Sequence, residues 1–213
     1  QTMTMDHMIH YARIDDIADW IRNFSWRQPV MRLAGSEHNG YGYITPIMYP
    51  QLFLYFPAVV RLCGGSMLFA YKALVLVANL ATAYLGYFSF KRLLGNNRML
   101  GLLCTALYVM NLYRLTDFYT RGAIGESLAM VFLPLVLYGM YEILYGESRR
   151  WYYVLLGYTG VLQSHILTTF MLTLFCVLAV LAGGKKLFAE KERLRALLKA
   201  AGSTILWNLW FLV

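Results

Sequence analysis

Residues 151–182 form a run of 32 positions without Asp, Glu, Lys or Arg. As one straight helix this run would reach about 48 Å, against a bilayer hydrocarbon core of about 30 Å. The run is therefore expected to bend, and its polar cluster Gln163-Ser164-His165 marks the place, with two short arms crossing up and back. Other apolar stretches cover 66–90, 99–113 and 127–145, and a further one begins at Lys199. Only 14% of the chain is charged and 59% is hydrophobic, whereas soluble domains carry about 25% charged residues. The expectation is an all-α transmembrane protein, a bundle of several spans. A net charge of +8 then reflects the Lys and Arg that set orientation in short loops, and no nucleic-acid motif accompanies it. Cys63, Cys104 and Cys176 are far apart without metal-ligand spacing, so free thiols are expected.

Residues 1–63 read as a long polar and aromatic first loop with amphipathic and juxtamembrane helices, and 64–213 as the helix bundle. Within the first region, 50–63 reads as a short apolar helix interrupted by Pro57 and ended by Gly64-Gly65. In the bundle, Lys72 lies near enough to a span end to reach the surface, Asn79 is placed to bond a neighbouring helix, and Pro134 is a kink candidate. Gly183-Gly184-Lys185-Lys186 reads as the end of the second arm, with Lys191 to Arg195 a charged surface segment. The chain begins without Met and stops inside an apolar run, so it reads as a fragment of a longer chain with helices missing at each end.

Lys and Arg in short loops favour the cytoplasmic side. Lys91, Arg92 and Arg98, then Arg149 and Arg150, then Lys185, Lys186, Lys191, Arg193 and Arg195 all fall on that side if 151–182 crosses twice. Three polar islands then share the outer face: the N-terminal segment, 114–126, and the bend at His165. Polar groups near lipid are costly unless they meet water or one another, so convergence at one membrane surface is expected. Arginines 13, 22, 27, 32 and 61 also fall outside, as a long translocated loop permits.

Within the first island, Thr4 is a candidate N-cap. Asp6, His10 and Arg13 follow at i, i+4 and i+7 on one helical face, and Met5, Ile9, Ile14, Ile17 and Ile21 form an apolar side. This pattern fits either a solvated helix on the membrane surface or a helix carrying active-site carboxylates. His7 and His10 are either solvated or share proton transfer or a metal. Tyr41, Tyr43, Tyr49 and Tyr55 suit an interfacial belt or stacking on a sugar ring. Arg13, Arg114 and Arg121 suit phosphate, since a guanidinium matches it in bidentate fashion, or lipid headgroups. Asp117 and Glu126 suit ion pairs with those arginines, ahead of binding a metal. His165 suits a substrate contact or a bond to a neighbouring carbonyl.

The phrases Asp6-His7-x-x-His10-x-x-Arg13-Ile14, Asn39-Gly40-Tyr41-Gly42-Tyr43, Tyr49-Pro50-x-Leu52-Phe53-Leu54-Tyr55-x-Pro57 and Ser164-His165 resemble a bacterial multi-pass membrane family labelled 6-pyruvoyl-tetrahydropterin synthase-related. Together with the broken helices and the long first loop, they resemble the GT-C superfamily of membrane glycosyltransferases. That resemblance implies a GT-C-like bundle in a bacterial cell membrane, a polyprenyl-phosphate-linked sugar donor, reaction at the outer face, and an Asp of the first outer loop as base. Asp6 matches that place best, with Asp15 or Asp16 as fallback. The implied catalytic set is Asp6, His10 and Asp16. The implied substrate-binding set is Arg13, Tyr41, Tyr43, Arg114, Arg121 and His165. Partners would be the lipid-linked donor, membrane lipids and an envelope polymer or lipid acceptor. A divalent ion, Mg or Mn, serves some members, although the sequence has no convincing metal constellation. A transporter or flippase of an envelope precursor, or a non-catalytic assembly protein, is the alternative.

Overall fold

The computed structural model describes residues 4–26, 31, 46 and 49–212. The described residues are helical apart from the connecting turns, with no strand. Three helices are long and apolar enough to cross a membrane, and four spans result if one bent pair counts as a span. This is consistent with a multi-pass membrane protein.

The first helix, α1, covers Met5–Arg22. Thr4 is in extended conformation and its hydroxyl accepts from the His7 N–H, so one orphan donor of the first turn is satisfied. Ile14, Ile17 and Ala18 are buried, and so are His7, His10, Arg13 and Asp16. A helix buried on its polar side as well as its apolar side does not lie on a membrane surface. The two histidines are likewise enclosed rather than solvated, and Ile9, placed on the apolar side by its spacing, is exposed.

A 3-10 turn at Leu52–Leu54 leads into α2, Tyr55–Leu62. Pro57 does not interrupt this helix. It sits in the first turn, where no intrahelical bond needs its missing N–H. One core joins Ile14 and Ile17 of α1, Leu54 and Ala58 of the α2 region, and Leu74, Ala78, Phe118, Leu128 and Val131 of the bundle. Each of the Ile, Leu, Val and Phe side chains among them contributes about 1.5–3 kcal/mol on burial. The described helices of the 1–63 region therefore share the core of the bundle.

The bundle continues as α3 (Met67–Leu93), α4 (Arg98–Val109), α5 (Leu112–Thr116) with a π-turn at Asp117–Arg121, and α6 (Ile124–Leu144). Then come α7 (Tyr152–Leu162), α8 (Ile166–Ala189), α9 (Lys191–Trp207) and α10 (Leu209–Leu212). The stretch expected to span 99–113 instead breaks after Val109, and the segment Leu112–Arg121 leaves at 44°. The break at 163–165 stands where the sequence placed it, but the two arms are unequal, with 11 residues in α7 and 24 in α8. Gly183-Gly184 does not end α8. Gly183 faces Leu144 and Tyr145, and packing there outweighs the roughly 1 kcal/mol that a glycine costs a helix. Likewise α9 is one helix from Lys191, not a surface segment followed by a new span at Lys199. The cysteines are free thiols.

Neighbouring helices give the directions. Gly101 backs onto Lys91 and Gly86 onto Thr105, so α3 and α4 are antiparallel. Gly139 meets Val154, Gly157 meets Val136 and Gly160 meets Phe132, so α6 and α7 are antiparallel through small-residue contacts. Arg193 bonds the carbonyls of Ile143 and Gly146, while Asn208 bonds Gln163 and Thr159, so α9 runs beside α7 in the same direction. The basic turns at 91–98, 146–151 and 185–193 thereby lie at one end. The N-terminus of α1, the π-turn and the 163–165 break lie at the other.

Two devices keep the spans intact. Arg114 is buried at the break, where it donates to Asn79 Oδ1 at 2.9 Å, Thr82 Oγ1 at 2.8 Å and the Val109 carbonyl at 3.2 Å. It thus closes the end of α4 onto α3. Pro134 removes the N–H that the Met130 carbonyl would accept, and the Tyr108 hydroxyl donates to that carbonyl at 2.6 Å instead. Tyr108→Phe is expected to cost about 1–3 kcal/mol, because the carbonyl would be left unsatisfied away from water. A lowered thermal midpoint of the detergent-solubilised chain would report the loss.

Candidate functional site

A hollow of about 400 Å³ opens at the end opposite the basic turns. The α1 helix presents Asp6, Ile9, His10 and Arg13 to it. The π-turn and the start of α6 add Arg121, Ala123 and Glu126. The break and the first turns of α8 add His165, Leu167, Thr168 and Met171, and Tyr49 closes one wall. Five residues of the implied catalytic and substrate-binding sets therefore meet: Asp6, His10, Arg13, Arg121 and His165. Asp16 is buried outside this lining, and Arg114 is engaged at the α4 break. Tyr41 and Tyr43 lie outside the described residues.

The wall is rigid. Arg13 donates to the Pro50 carbonyl at 2.7 Å and its guanidinium lies 4.4 Å from the centre of the Tyr49 ring. Tyr49 also contacts the rings of His10 and His165. Arg13 can only donate, so His10 Nδ1 accepts its contact at 3.4 Å and the imidazole proton sits on Nε2. Burial, with the Arg13 charge beside it, pulls His10 down to about 3, so this ring is neutral at pH 7. Burial lowers the Arg13 guanidinium to about 10 and raises the Tyr49 phenol, so Arg13 remains charged and Tyr49 protonated at neutral pH.

His165 caps α8 and its Nδ1 accepts from the Thr168 N–H. Its proton therefore resides on Nε2, as a donor, and burial lowers its pKa. On the facing wall Arg121 pairs with buried Asp117 at 2.7 Å and approaches Glu126 at 3.6 Å. The Tyr113 hydroxyl donates to Glu126.

A clamp joins the two walls. The Thr4 hydroxyl donates to the Arg121 carbonyl at 2.5 Å. The His7 Nδ1 completes a capping box by accepting from the Thr4 N–H at 3.4 Å, and it lies 2.7 Å from the Thr4 hydroxyl. Gly122 follows in left-handed conformation, φ 73°, with the His7 ring against it.

The hollow thus offers two carboxylates, Asp6 and Glu126, two guanidinium groups, and neutral imidazoles, beside an apolar edge of Ile9, Leu167 and Met171. The sequence does not single out Thr168, and it marks Tyr49 only as one of four tyrosines suited to an interfacial belt or to stacking on a sugar ring. The Tyr49-Pro50 phrase was visible, but only folding brings it between two histidines. Among the described residues no group of three or more His, Cys, Asp or Glu side chains is placed to hold a metal ion. Compared with known proteins, the chain matches no family model, no curated protein and no solved structure.

Proposed function

We propose that the protein is a membrane glycosyltransferase of GT-C type that takes a polyprenyl-phosphate-linked sugar donor. One observation carries this reading. Carboxylates, guanidinium groups and an imidazole from three separate parts of the chain line one hollow, at the end of the bundle away from the basic turns. By the positive-inside rule that end is the outer face of a bacterial cell membrane.

Asp6 is the base. It takes the proton of an acceptor hydroxyl as the acceptor oxygen bonds to the anomeric carbon. The bond from that carbon to the phosphate oxygen breaks, and its electron pair leaves with the lipid phosphate. Arg13 and Arg121 face the negative charge that develops on this leaving group. The His165 Nε2–H donates to a sugar or phosphate oxygen, and neutral His10 holds Arg13 in place. The apolar edge meets the first units of the lipid. A transporter or flippase would need open polar groups along a path at mid-depth. Arg114, at the break, is instead closed by Asn79, Thr82 and Phe118.

The test is transfer of radiolabelled sugar from polyprenyl phosphate to an envelope acceptor by the full-length protein in liposomes. Asp6→Asn is expected to lower the rate by about 10²-fold or more, with the thermal midpoint held. Undiminished transfer by Asp6→Asn would remove the base from this position. Uptake of label without transfer would favour a transporter, and neither activity would favour an assembly protein.

A further inference from the structure

A second hollow, about 680 Å³, lies beside the first turns of α1, with His7 on its wall. Two adjoining rows of α3 face it: Leu68, Lys72 and Leu76 at every fourth position, and Tyr71, Val75 and Asn79 beside them. Leu68 and Leu76 are also exposed on the outside of α3, so the mouth opens sideways toward lipid. Two polar groups here serve nothing described so far. Lys72 lines the hollow and has no acidic partner among the described residues. Tyr71 is 6% exposed, and its buried hydroxyl has no hydrogen-bond partner.

Depth identifies what such a pair meets. The 27 residues of α3 span about 40 Å, which leaves about 5 Å beyond each side of a hydrocarbon core of about 30 Å. Lys72 follows Met67 by five positions, about 7.5 Å along the axis, hence within about 3 Å of the core boundary. A lysine stem reaches from there to the level of the lipid phosphates. An ammonium left unpaired at that depth is costly.

We propose that this hollow holds one anionic phospholipid from the surrounding leaflet. Its phosphate sits at the Lys72 ammonium, the Tyr71 hydroxyl offers a donor to its ester oxygens, and an acyl chain lies along Leu68, Val75 and Leu76. The inference needs only the membrane setting of α3 and does not depend on the glycosyltransferase reading.

Native mass spectrometry of the detergent-solubilised full chain, titrated with phosphatidylglycerol or phosphatidylcholine, tests it. Wild-type protein is expected to retain one phosphatidylglycerol in preference to phosphatidylcholine. Lys72→Met is expected to weaken that retention about fivefold. Leu76→Trp, which fills the hollow and keeps the charge, is expected to abolish it, so the proposal remains testable if Lys72→Met does not fold. Lys185→Met, at the opposite end, is expected to change nothing. Equal retention of the two lipids, wild-type retention by both α3 variants, or displacement of phosphatidylglycerol by stoichiometric polyprenyl phosphate would each overturn the assignment.

Discussion

Gly122→Ala is expected to destabilise the chain by about 3 kcal/mol or more and to abolish sugar transfer, for two additive reasons. At φ 73° a residue with a Cβ pays about 1–2 kcal/mol for the left-handed conformation. The new methyl group would also fall on the Nδ1, Cε1 and Cγ atoms of the His7 ring, and overpacking of this kind costs about 1–3 kcal/mol. His7 has little freedom to yield, because Thr4 holds it on one side and the rings of Tyr11 and Tyr71 on the other. Relief requires α1 to lift from the π-turn, which breaks the Thr4 bond to the Arg121 carbonyl and separates Asp6 from Arg121. Gly64 supplies the control. It is also left-handed, at φ 90°, but open space surrounds it. Gly64→Ala should therefore show the backbone cost alone. Thermal midpoints of both variants separate the two contributions, and equal losses would mean that the His7 contact is unimportant.

Acid is expected to unfold the region around His10 well before the ring itself takes a proton. In the unfolded chain this imidazole binds its proton near pH 6.5, and in the folded chain near 3. Between those values the unfolded state holds more protons, so stability is intact above about pH 6.5 and is lost as pH falls toward 3. The full loss from this one group is on the order of 5 kcal/mol at about 1.4 kcal/mol per pH unit. His10→Gln keeps an acceptor for Arg13 without a titrating group. Its stability is expected to fall less steeply than that of the wild type through this window, with a residual slope from His165, which burial also lowers. Denaturant midpoints at several pH values compare the two proteins, and parallel curves would show that His10 is protonated or solvated in the folded state.

Local patterns were the legible part. Thr4 as the cap of α1, the break at 163–165, the span of α3 and the helical register of Asp6, His10 and Arg13 all follow from spacing and from residue types with strong backbone preferences. The same patterns misplaced the end of α8 and the start of α9. Gly183 and Lys199 carry opposing local signals there, and packing against α6 and α7 decides between them. Arg114 shows the limit most clearly. Its charge suited a phosphate, yet folding aims it at Asn79 and Thr82, where it closes a break that apolar length alone could not foretell.

By itself the sequence determined that the chain is helical and built for a membrane, because hydropathy and period are properties of each segment taken alone. The tertiary structure decided that α1 is buried on its polar side, that Glu126 and Tyr49 join Asp6, Arg13 and His165, and that Lys72 faces a hollow of its own. Those outcomes depend on the directions and relative heights of helices far apart in the chain. Contacts between segments set these, and no single segment records them.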